Sequence, residues 1–383
     1  MNWKAKPLGS CIEVFDSCRR PVTKKDRVLG PYPYYGASGI VDYVDSYIFE
    51  GLHVLVAEDG ENLRSRKLPI AYLADGRFWV NNHAHVLRAN DENDTRFLSY
   101  MIESLDLSGF ITGSTQPKLS QAALLSIPLR LPKLAEQRRI AGVLGVLDDK
   151  IESNQAVITH AEQLIDEIAV QRATDLPMVA LSEVCSLSKS TWKPETSPDQ
   201  TVQLFSLPAF DEGATPEQAA VASIKSNKTL MDRPGILVSR LNPRISRMWW
   251  VETDAARVNV CSPEFAYLTA GDMHGLACTW LAVRSPEFRG EIVDRVTGTS
   301  GSHQRVRPAD LMTIGVPDYR SLAEHIQATM LTLLHLVSDR RRQSVGLAEL
   351  RNALLPELMS GRMRVDEAGR LVSEALDEEV RSV

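Results

Sequence analysis

The stretch at residues 134–172 most strongly limits the fold, because it contains no proline and predicts one long helix. Its only glycines are Gly142 and Gly145. Apolar residues recur in alternating steps of four and three, which is the spacing of a heptad seam. The seam positions are Ile140, Leu144, Leu147, Ile151, Asn154, Ile158, Ala161, Ile165 and Ile168. Such a seam requires an apolar partner, most simply another helix.

Asn154 is the one polar residue in this seam, and its role has two interpretations. A buried asparagine among apolar seam residues can fix the register of two packed helices. A solvent-exposed break in the seam would look the same in the sequence. Both interpretations stay open at this stage.

A second helix is predicted at about residues 321–360. Its seam begins with Ile326, Met330, Leu333 and Val337, becomes charged at "DRRRQ" (339–343), and resumes with Leu347, Leu350, Leu354 and Leu358. Gly361 fits a C-terminal cap, whereas Pro356 is expected to kink or interrupt the last turn. We expect the two helices to pack as an antiparallel coiled coil. At 1.5 Å per residue the first helix would be roughly 58 Å long.

The sequence also repeats itself with a period of about 185 residues. Six segments of the first half have counterparts, in the same order, in the second half. The pairs are 51–60 with 235–244, 82–89 with 263–270, 97–102 with 279–284, 112–121 with 297–308, 119–132 with 306–317 and 134–140 with 322–328. The order predicts a duplicated α+β unit, each copy followed by a long helix, with a domain at each end of the helix pair and a pseudo-two-fold internal repeat.

The predicted boundaries are 1–133 and 174–320 for the globular domains, 134–173 and 321–361 for the helices, and 362–383 for an acidic C-terminal tail. The net charge of −6 divides among the segments as +1 for 1–133, −3 for 134–173, −2 for 174–320 and −2 for 321–383. No domain is strongly basic. Any DNA binding must therefore use local basic groups or share the electrostatic work with a partner chain.

Searches for catalytic patterns yield little. The chain has no Walker A loop, no GxGxxG, no GxSxG and no [DN]PP[YF] methyltransferase loop. It also has no run of 18 apolar residues and no signal-peptide core, which predicts a cytoplasmic protein. Five cysteines without a CxxC pair predict reduced, structural thiols.

Two short motifs could carry metal chemistry. His83 and His85 form an HxH pair, but no second pair of ligands completes a site, so structural or ligand-facing histidines are the favoured interpretation. "AEDGEN" (57–62) could supply a nuclease carboxylate at Asp59. The E-x-K of such enzymes is missing, which favours a surface turn.

Both globular domains contain polar, glycine-rich loops with side chains suited to base edges and phosphates. For any single residue of these loops, an ordinary solvated loop is the alternative interpretation; the prediction depends on their recurrence at matched places. The candidate DNA contacts are Tyr34, Tyr35, Asn81, Asn82, His83, Ser114, Thr115, Gln116, Lys118, Ser239, Arg240, Asn242, Arg244, Ser302, His303, Gln304, Arg305 and Arg307.

Together these features resemble the specificity (S) subunit of type I restriction–modification systems. The resemblance rests on "PYYGASGIVDYVDSYIFEG" (33–51), "WVNNHAHVLRA" (79–89), "TGSTQPKLSQAALLSIPLRLPKLAEQRRIAGVLGVLDDKIE" (112–152), "GILVSRLNPR" (235–244) and "LLPELMSGRMRV" (354–365). It implies two target-recognition domains, each reading half of a split DNA target, and helices that set the half-site spacing and dock two modification subunits. It also implies no active site in this chain.

The same resemblance implies cofactors only in partners. S-adenosylmethionine would be bound by the modification subunits, which methylate adenine N6, and ATP and Mg by a restriction subunit where one is present. The second loop, "TGTSGSHQRVRP", lacks the QPKL of the first, so base contacts are not transferred between the two copies. The alternatives are a stand-alone DNA-binding or scaffolding protein of the same architecture, and a nuclease with a degenerate site at Asp59.

Overall fold

The structure, a computed structural model, describes residues 4–194, 200–296 and 304–381, and the side chains of 5–194, 200–296 and 304–377. The chain divides into two compact units. Unit 1 contains residues 1–151 and 346–383, and unit 2 contains residues 152–345. Each unit includes the helical segments that pack on its own sheet, whereas the predicted boundaries at 133 and 320 separate the globular parts from the helices.

The elements up to the first long helix are ten strands and four helices. The strands are β1 (Lys4–Pro7), β2 (Ile12–Val14), β3 (Tyr32–Gly36), β4 (Gly39–Val44), β5 (Phe49–Glu50), β6 (His53–Ala57), β7 (Ala71–Ala74), β8 (Arg77–Val80), β9 (Ala84–Ala89) and β10 (Pro128–Leu131). The helices are α1 (Asn62–Ser65), α2 (Thr95–Ser104), α3 (Gln121–Ser126) and α4 (Leu134–Ala173). The helix predicted over 134–172 is α4.

Unit 2 continues with a second series of strands and short helices. Its strands are β11 (Met178–Ala180), β12 (Ser186–Leu187), β13 (Thr191–Trp192), β14 (Thr201–Phe205), β15 (Glu217–Ala220), β16 (Lys228–Met231), β17 (Gly235–Ser239), β18 (Met248–Val251), β19 (Asn259–Cys261), β20 (Phe265–Thr269) and β21 (Gly315–Pro317). Its helices are α5 (Leu181–Val184), α6 (Leu207–Asp211), α7 (Met273–Arg284), α8 (Pro286–Asp294) and α9 (Pro308–Leu311).

After residue 321, the described part of the chain has two helices, α10 (Glu324–Ser360) and α11 (Val365–Arg381). The helix α10 continues through Pro356, so the predicted interruption there is wrong. Gly361 follows with φ +71° and donates its N–H to the Leu358 carbonyl, as a C-terminal cap should. The predicted acidic tail is largely α11, whose Val365, Ala368 and Val372 are buried in the core of unit 1.

The α+β fold and its duplication are confirmed by the sheet topology. Unit 1 has an antiparallel sheet of order β2-β9-β6-β7, and unit 2 has the same order in β12-β20-β17-β18. The pair β1-β10 of unit 1 likewise corresponds to β11-β21 of unit 2. A second sheet differs between the units, being β4-β3-β8-β5 in one and β13-β16-β19-β14-β15 in the other. The repeat therefore shares a framework and differs in the sheet beside it.

Strand pairing gives the register of the repeat. Leu55 lies opposite Val86 in unit 1, and Leu237 lies opposite Tyr267 in unit 2. The segments 82–89 and 263–270 therefore align as the sequence predicted. The sequence comparison paired Gly51 with Gly235. In the strand register Gly235 instead corresponds to His53, two residues further along. Residues 279–284 form the C-terminal half of α7.

The central strand of each unit is buried on both faces. In β6, Val54 and Val56 pack with α2 and the long helices, whereas Leu55 packs with Phe78 and the second sheet. The same alternation holds in β17, where Ile236 and Val238 face one cluster and Leu237 faces another. Because both faces of these strands are covered, their sequences are unbroken apolar runs.

The seam residues of the long helices are largely buried within each unit. In unit 2, Asn154 is 1% exposed and its Nδ2 donates to Ser344 Oγ at 3.3 Å. The interpretation of Asn154 as a buried seam residue is therefore correct. The helix α10 is continuous through the charged segment "DRRRQ". Within that segment Arg341 pairs with Glu162 at 2.7 Å.

Two further predictions concern the chain as a whole. No helix of the described residues is both long and apolar enough to cross a membrane. The five cysteines are unpaired, and burial raises the pKa of Cys185 and Cys261 to about 12. Thiols with such pKa values stay protonated at neutral pH and are poor nucleophiles.

Candidate nucleic-acid interface

In unit 1 the loop at 112–119 is tied to the end of β6 by backbone hydrogen bonds. Thr112 and Lys118 exchange N–H···O bonds of 2.9 and 2.8 Å across the base of the loop. Leu119 N donates to the Glu58 carbonyl at 2.8 Å, and Lys118 forms a bridge with Asp59. The base of the loop is therefore fixed to the sheet.

The tip of this loop is a constrained turn with exposed side chains. Gly113 has φ +85°, and a Cβ there would lie 2.2 Å from the Gln116 carbonyl oxygen, so only glycine fits. Arg64 donates to the Gly113 carbonyl at 2.5 Å and to the Ser114 carbonyl at 3.0 Å. Ser114, Thr115 and Gln116 are exposed at the tip. The turn thus presents polar side chains on a fixed backbone.

A buried histidine supports the base of the loop. His85 is 1% exposed; its Nε2 lies 2.8 Å from the Leu119 carbonyl and its Nδ1 lies 2.6 Å from Asp16 Oδ2. A carbonyl oxygen can only accept, so Nε2 carries a proton. Burial raises the pKa of Asp16, but hydrogen bonds with His85 and Val86 and the Arg19 charge outweigh this effect and hold the pKa below 3.8, so Asp16 is a carboxylate at neutral pH. Both ring nitrogens of His85 therefore face oxygen atoms, one of the Asp16 carboxylate and one of the loop backbone.

Glu58 connects this buried group to Lys118. Its Oε2 accepts from Arg19 Nη1 at 2.6 Å, and its Oε1 lies 3.2 Å from Lys118 Nζ. Burial raises the pKa of Glu58, but hydrogen bonds from Arg19 and Lys118 and the charge of His85 outweigh it and lower the pKa. The Lys118 side chain remains 52% exposed. Its ammonium is thus held in place yet open to solvent.

Asp16, Glu58 and His85 are also the one group of described residues with ligand atoms close enough together, within 4.8 Å, for a metal ion. Arg19 lies 3.5 Å from Asp16 Oδ2 and 2.6 Å from Glu58 Oε2, so it already supplies positive charge to both carboxylates. The residues present therefore do not call for a metal. His83 contacts a different carboxylate, that of Asp59 at 2.9 Å, so the two histidines of the HxH pair have separate partners.

The other predicted contacts of unit 1 fall into two groups. Tyr34 is 1% exposed and its hydroxyl accepts from Val22 N at 2.9 Å, so its side chain lies inside the unit, and its contact with DNA stays a prediction. Tyr35 packs against the rings of Tyr72 and Phe78. Asn81 is 8% exposed and accepts from His83 N. Asn82 and His83 are exposed and stay candidates.

Unit 2 has the same hydrogen bonds at the end of β17. Arg240 N donates to the Glu264 carbonyl at 2.8 Å, as Glu58 N does to His83 at 2.9 Å. Val306 N donates to the Arg240 carbonyl, Asn242 N donates to the Gln304 carbonyl, and Leu241 forms a bridge with Arg305. By position, Arg240 therefore corresponds to Glu58, Asn242 to Gly60, and Arg305 to Lys118.

The predicted contacts of unit 2 again include a buried residue. Ser239 is 3% exposed and its hydroxyl donates to the Leu241 carbonyl at 3.0 Å, so its contact with DNA stays a prediction. Arg244 and Arg305 are exposed and Gln304 is half-buried. Arg305 pairs with Glu264 and Arg307 with Asp310. Ser302 and His303 lie outside the described residues.

The sequence missed the residues that hold the first loop in place. They are Asp16, Arg19, Glu58 and Arg64, each at least 39 positions from one of its partners in the network. No short motif contains such pairs, because strand pairing and not sequence proximity brings them together. The lone hint was the acidic "ED" directly after a buried strand.

Residues 1–163 match the family described as Type I restriction modification DNA specificity domain. In this region the chain is similar to the specificity subunits of type I restriction–modification systems. It is 38% identical over 148 residues to a putative type I restriction enzyme specificity subunit of Haemophilus influenzae, covering 38% of this chain and 37% of that protein. It is 27% identical over 120 residues to the EcoprrI specificity subunit of Escherichia coli, covering 30% and 28%. The aligned regions thus span less than two fifths of these relatives.

The specificity-subunit fold extends over nearly the whole chain. The type I system S subunit from M. genitalium matches with a TM-score of 0.59 at 16% identity, covering 93% of this chain and 96% of that one. At this identity the likeness concerns the fold alone. It accounts for unit 2, which lies largely outside the family match at residues 1–163.

Proposed function

We propose that each unit of this specificity subunit reads one half of a bipartite double-stranded DNA target. The proposal is carried by the loop at 112–119, which is tied to the end of β6, and by its counterpart at 304–306, which is tied to the end of β17. Both loops are fixed by the same backbone hydrogen bonds, but they present different side chains. A shared framework with different polar groups suits two readers of different sequences.

We further propose that the long helices set the spacing between the half-sites and dock two modification subunits, which methylate adenine N6. Exposed large apolar side chains on α4, namely Val146 in unit 1 and Leu164 and Val170 in unit 2, support a docking role. The chain's modest acidity fits this arrangement, since phosphate neutralisation would be shared with the partners. S-adenosylmethionine then belongs to the modification subunits, and ATP and Mg to a restriction subunit where present.

We propose that the chain itself is not a catalyst. The rival nuclease would need Asp59 as a metal ligand, yet its carboxylate lies against His83 and its backbone pairs with Lys118. Metal-dependent cleavage by the isolated chain, lost in Asp59→Ala, would support the nuclease and overturn this proposal. A stand-alone DNA-binding or scaffolding protein of the same architecture is the other alternative.

The test is co-expression with modification subunits, followed by selection of bound duplexes from a random pool. We expect a stable complex of one specificity chain with two modification chains, and a selected motif of two short half-sites with a fixed gap. Leu164→Glu should block assembly without unfolding the chain. Full, sequence-specific affinity of the lone chain, with no complex formed, would favour the stand-alone alternative.

A further inference from the structure

The Arg240 guanidinium is a half-buried cation that donates no hydrogen bond to a carboxylate of the described residues. Its Nε is buried with no hydrogen-bond partner, and its side chain donates to none of the residues that the structure describes. Burial lowers the pKa of Arg240; the charge of Glu264 raises it in part, and the charge of Arg305 lowers it again. The Glu264 carboxylate, whose charge acts on Arg240, already accepts two hydrogen bonds from Arg305, at 3.0 and 2.7 Å.

Such an arrangement is costly in a folded protein, because buried charges are normally paired. A second unsatisfied atom lies two residues away: Asn242 Oδ1 is buried without a hydrogen-bond partner. Asn242 also has φ +47°, in the left-handed region that favours glycine. The glycine at the matching position of unit 1, Gly60, has φ +112°. An orphaned guanidinium beside a strained turn indicates a missing anionic ligand.

The matching positions of unit 1 carry the opposite charge. Arg240 corresponds to Glu58, which is neutralised by Arg19 and Lys118. Phe15 N donates to the Val86 carbonyl as Ser188 N does to the Tyr267 carbonyl, so Lys189 occupies the position of Asp16. Two carboxylates of unit 1 are thus replaced by two cations in unit 2. The first unit satisfies its charges internally, and the second does not.

We propose that the Arg240 guanidinium binds one backbone phosphate of the DNA held by unit 2. Arginine donates in a planar fork that suits a phosphodiester, and phosphate contacts fix a protein's position on the duplex. Unit 1 has no arginine at this place, because the matching position is Glu58, which Arg19 and Lys118 pair internally. The proposal rests on the proposed function, since it assigns a ligand to one of the two recognition units.

The direct test is a double-mutant cycle on the full chain in its complex, with a duplex carrying the selected target. Single neutral methylphosphonates replace the phosphates of the second half-site one at a time. We expect Arg240→Gln to weaken binding about tenfold or more, as loss of a charged hydrogen bond implies. One methylphosphonate should weaken the wild type similarly and have little further effect on Arg240→Gln. Arg257→Gln, an exposed arginine paired with Asp254, is the matched control.

Thermal unfolding of the free chain separates binding from a structural role. Because Arg240 is unpaired without DNA, Arg240→Met should leave the melting temperature unchanged or raise it, while reducing DNA affinity. Arg240→Lys, which keeps the charge, should lose less affinity than Arg240→Gln. A lower melting temperature for all three variants would identify a structural arginine and overturn the proposal.

Failure here is distinguishable from failure of the proposed function. Wild-type affinity of Arg240→Gln, or losses that add to those of every methylphosphonate, would overturn the phosphate site while leaving bipartite recognition intact. Absence of sequence-specific binding by the wild-type complex would overturn both.

Discussion

Lys118 Nζ lies 3.2 Å from Glu58 Oε1, and this pair connects the exposed loop of unit 1 to the buried His85 and Asp16. The same carboxylate accepts from Arg19 at 2.6 Å. Lys118 is therefore held by a neighbour whose negative charge is already largely neutralised. A lysine held this way can turn to a phosphate or a base edge at small cost.

Replacing Lys118 with Ala should weaken DNA binding through the first half-site and leave assembly intact. The loss should exceed that of one ordinary phosphate contact, because Glu58 would then face DNA with one cation fewer. Gln116→Ala, at the exposed tip, should weaken binding without this added repulsion. Fluorescence anisotropy with a labelled target duplex measures both.

Repulsion between Glu58 and DNA can be tested separately. In the Lys118→Ala background, Glu58→Gln should recover part of the lost affinity. Failure of assembly in Lys118→Ala would instead show that the loop is structural.

Gly113→Ala should disrupt the loop, because the new Cβ would lie 2.2 Å from the Gln116 carbonyl at φ +85°. We expect a loss of about 1 kcal/mol or more in unfolding free energy, and weaker binding at the first half-site. Gly109→Ala is the matched control, since nothing lies within 4 Å of its added Cβ. Denaturant melts would refute the argument if both variants behaved alike.

The stability that Glu58 contributes should depend on pH. Its pKa is lowered from 4.5 in the fold, so its contribution is full above pH 4.5 and is lost as pH falls through the lower folded value. The wild type should therefore exceed Glu58→Gln in unfolding free energy at pH 7, with the difference shrinking below pH 4.5. Urea unfolding from pH 7 to pH 3 measures this difference, and a constant gap would contradict the pairing.

Asn154→Leu should raise the unfolding free energy or leave it unchanged, because a buried amide with one long hydrogen bond is exchanged for a packed apolar side chain. Ser344→Ala, which removes only the partner, should destabilise by about 1 kcal/mol. A marked loss of stability in Asn154→Leu would show that the amide does more than fix register.

The long helices and the duplication could be predicted from sequence, because heptad spacing and repeated strands are local patterns. The first helix was predicted at 134–172 and lies at Leu134–Ala173. α11 was missed, because the acids of 366–379 suggested a solvated tail although Val365, Ala368 and Val372 follow helical spacing. The charge network beneath Lys118 was beyond sequence reasoning, since Asp16, Glu58 and His85 meet only through strand pairing. Tyr34 and Ser239 had suitable chemistry, but their burial could not be foreseen.

Single-molecule methylome sequencing of a host expressing the system tests the central claim most directly. We predict a bipartite motif of N6-methyladenine in two half-sites with a fixed gap, which disappears when this chain is deleted and whose second half changes when residues of unit 2 are exchanged. An adenine methylation pattern that is unaltered by deleting the chain would contradict the account.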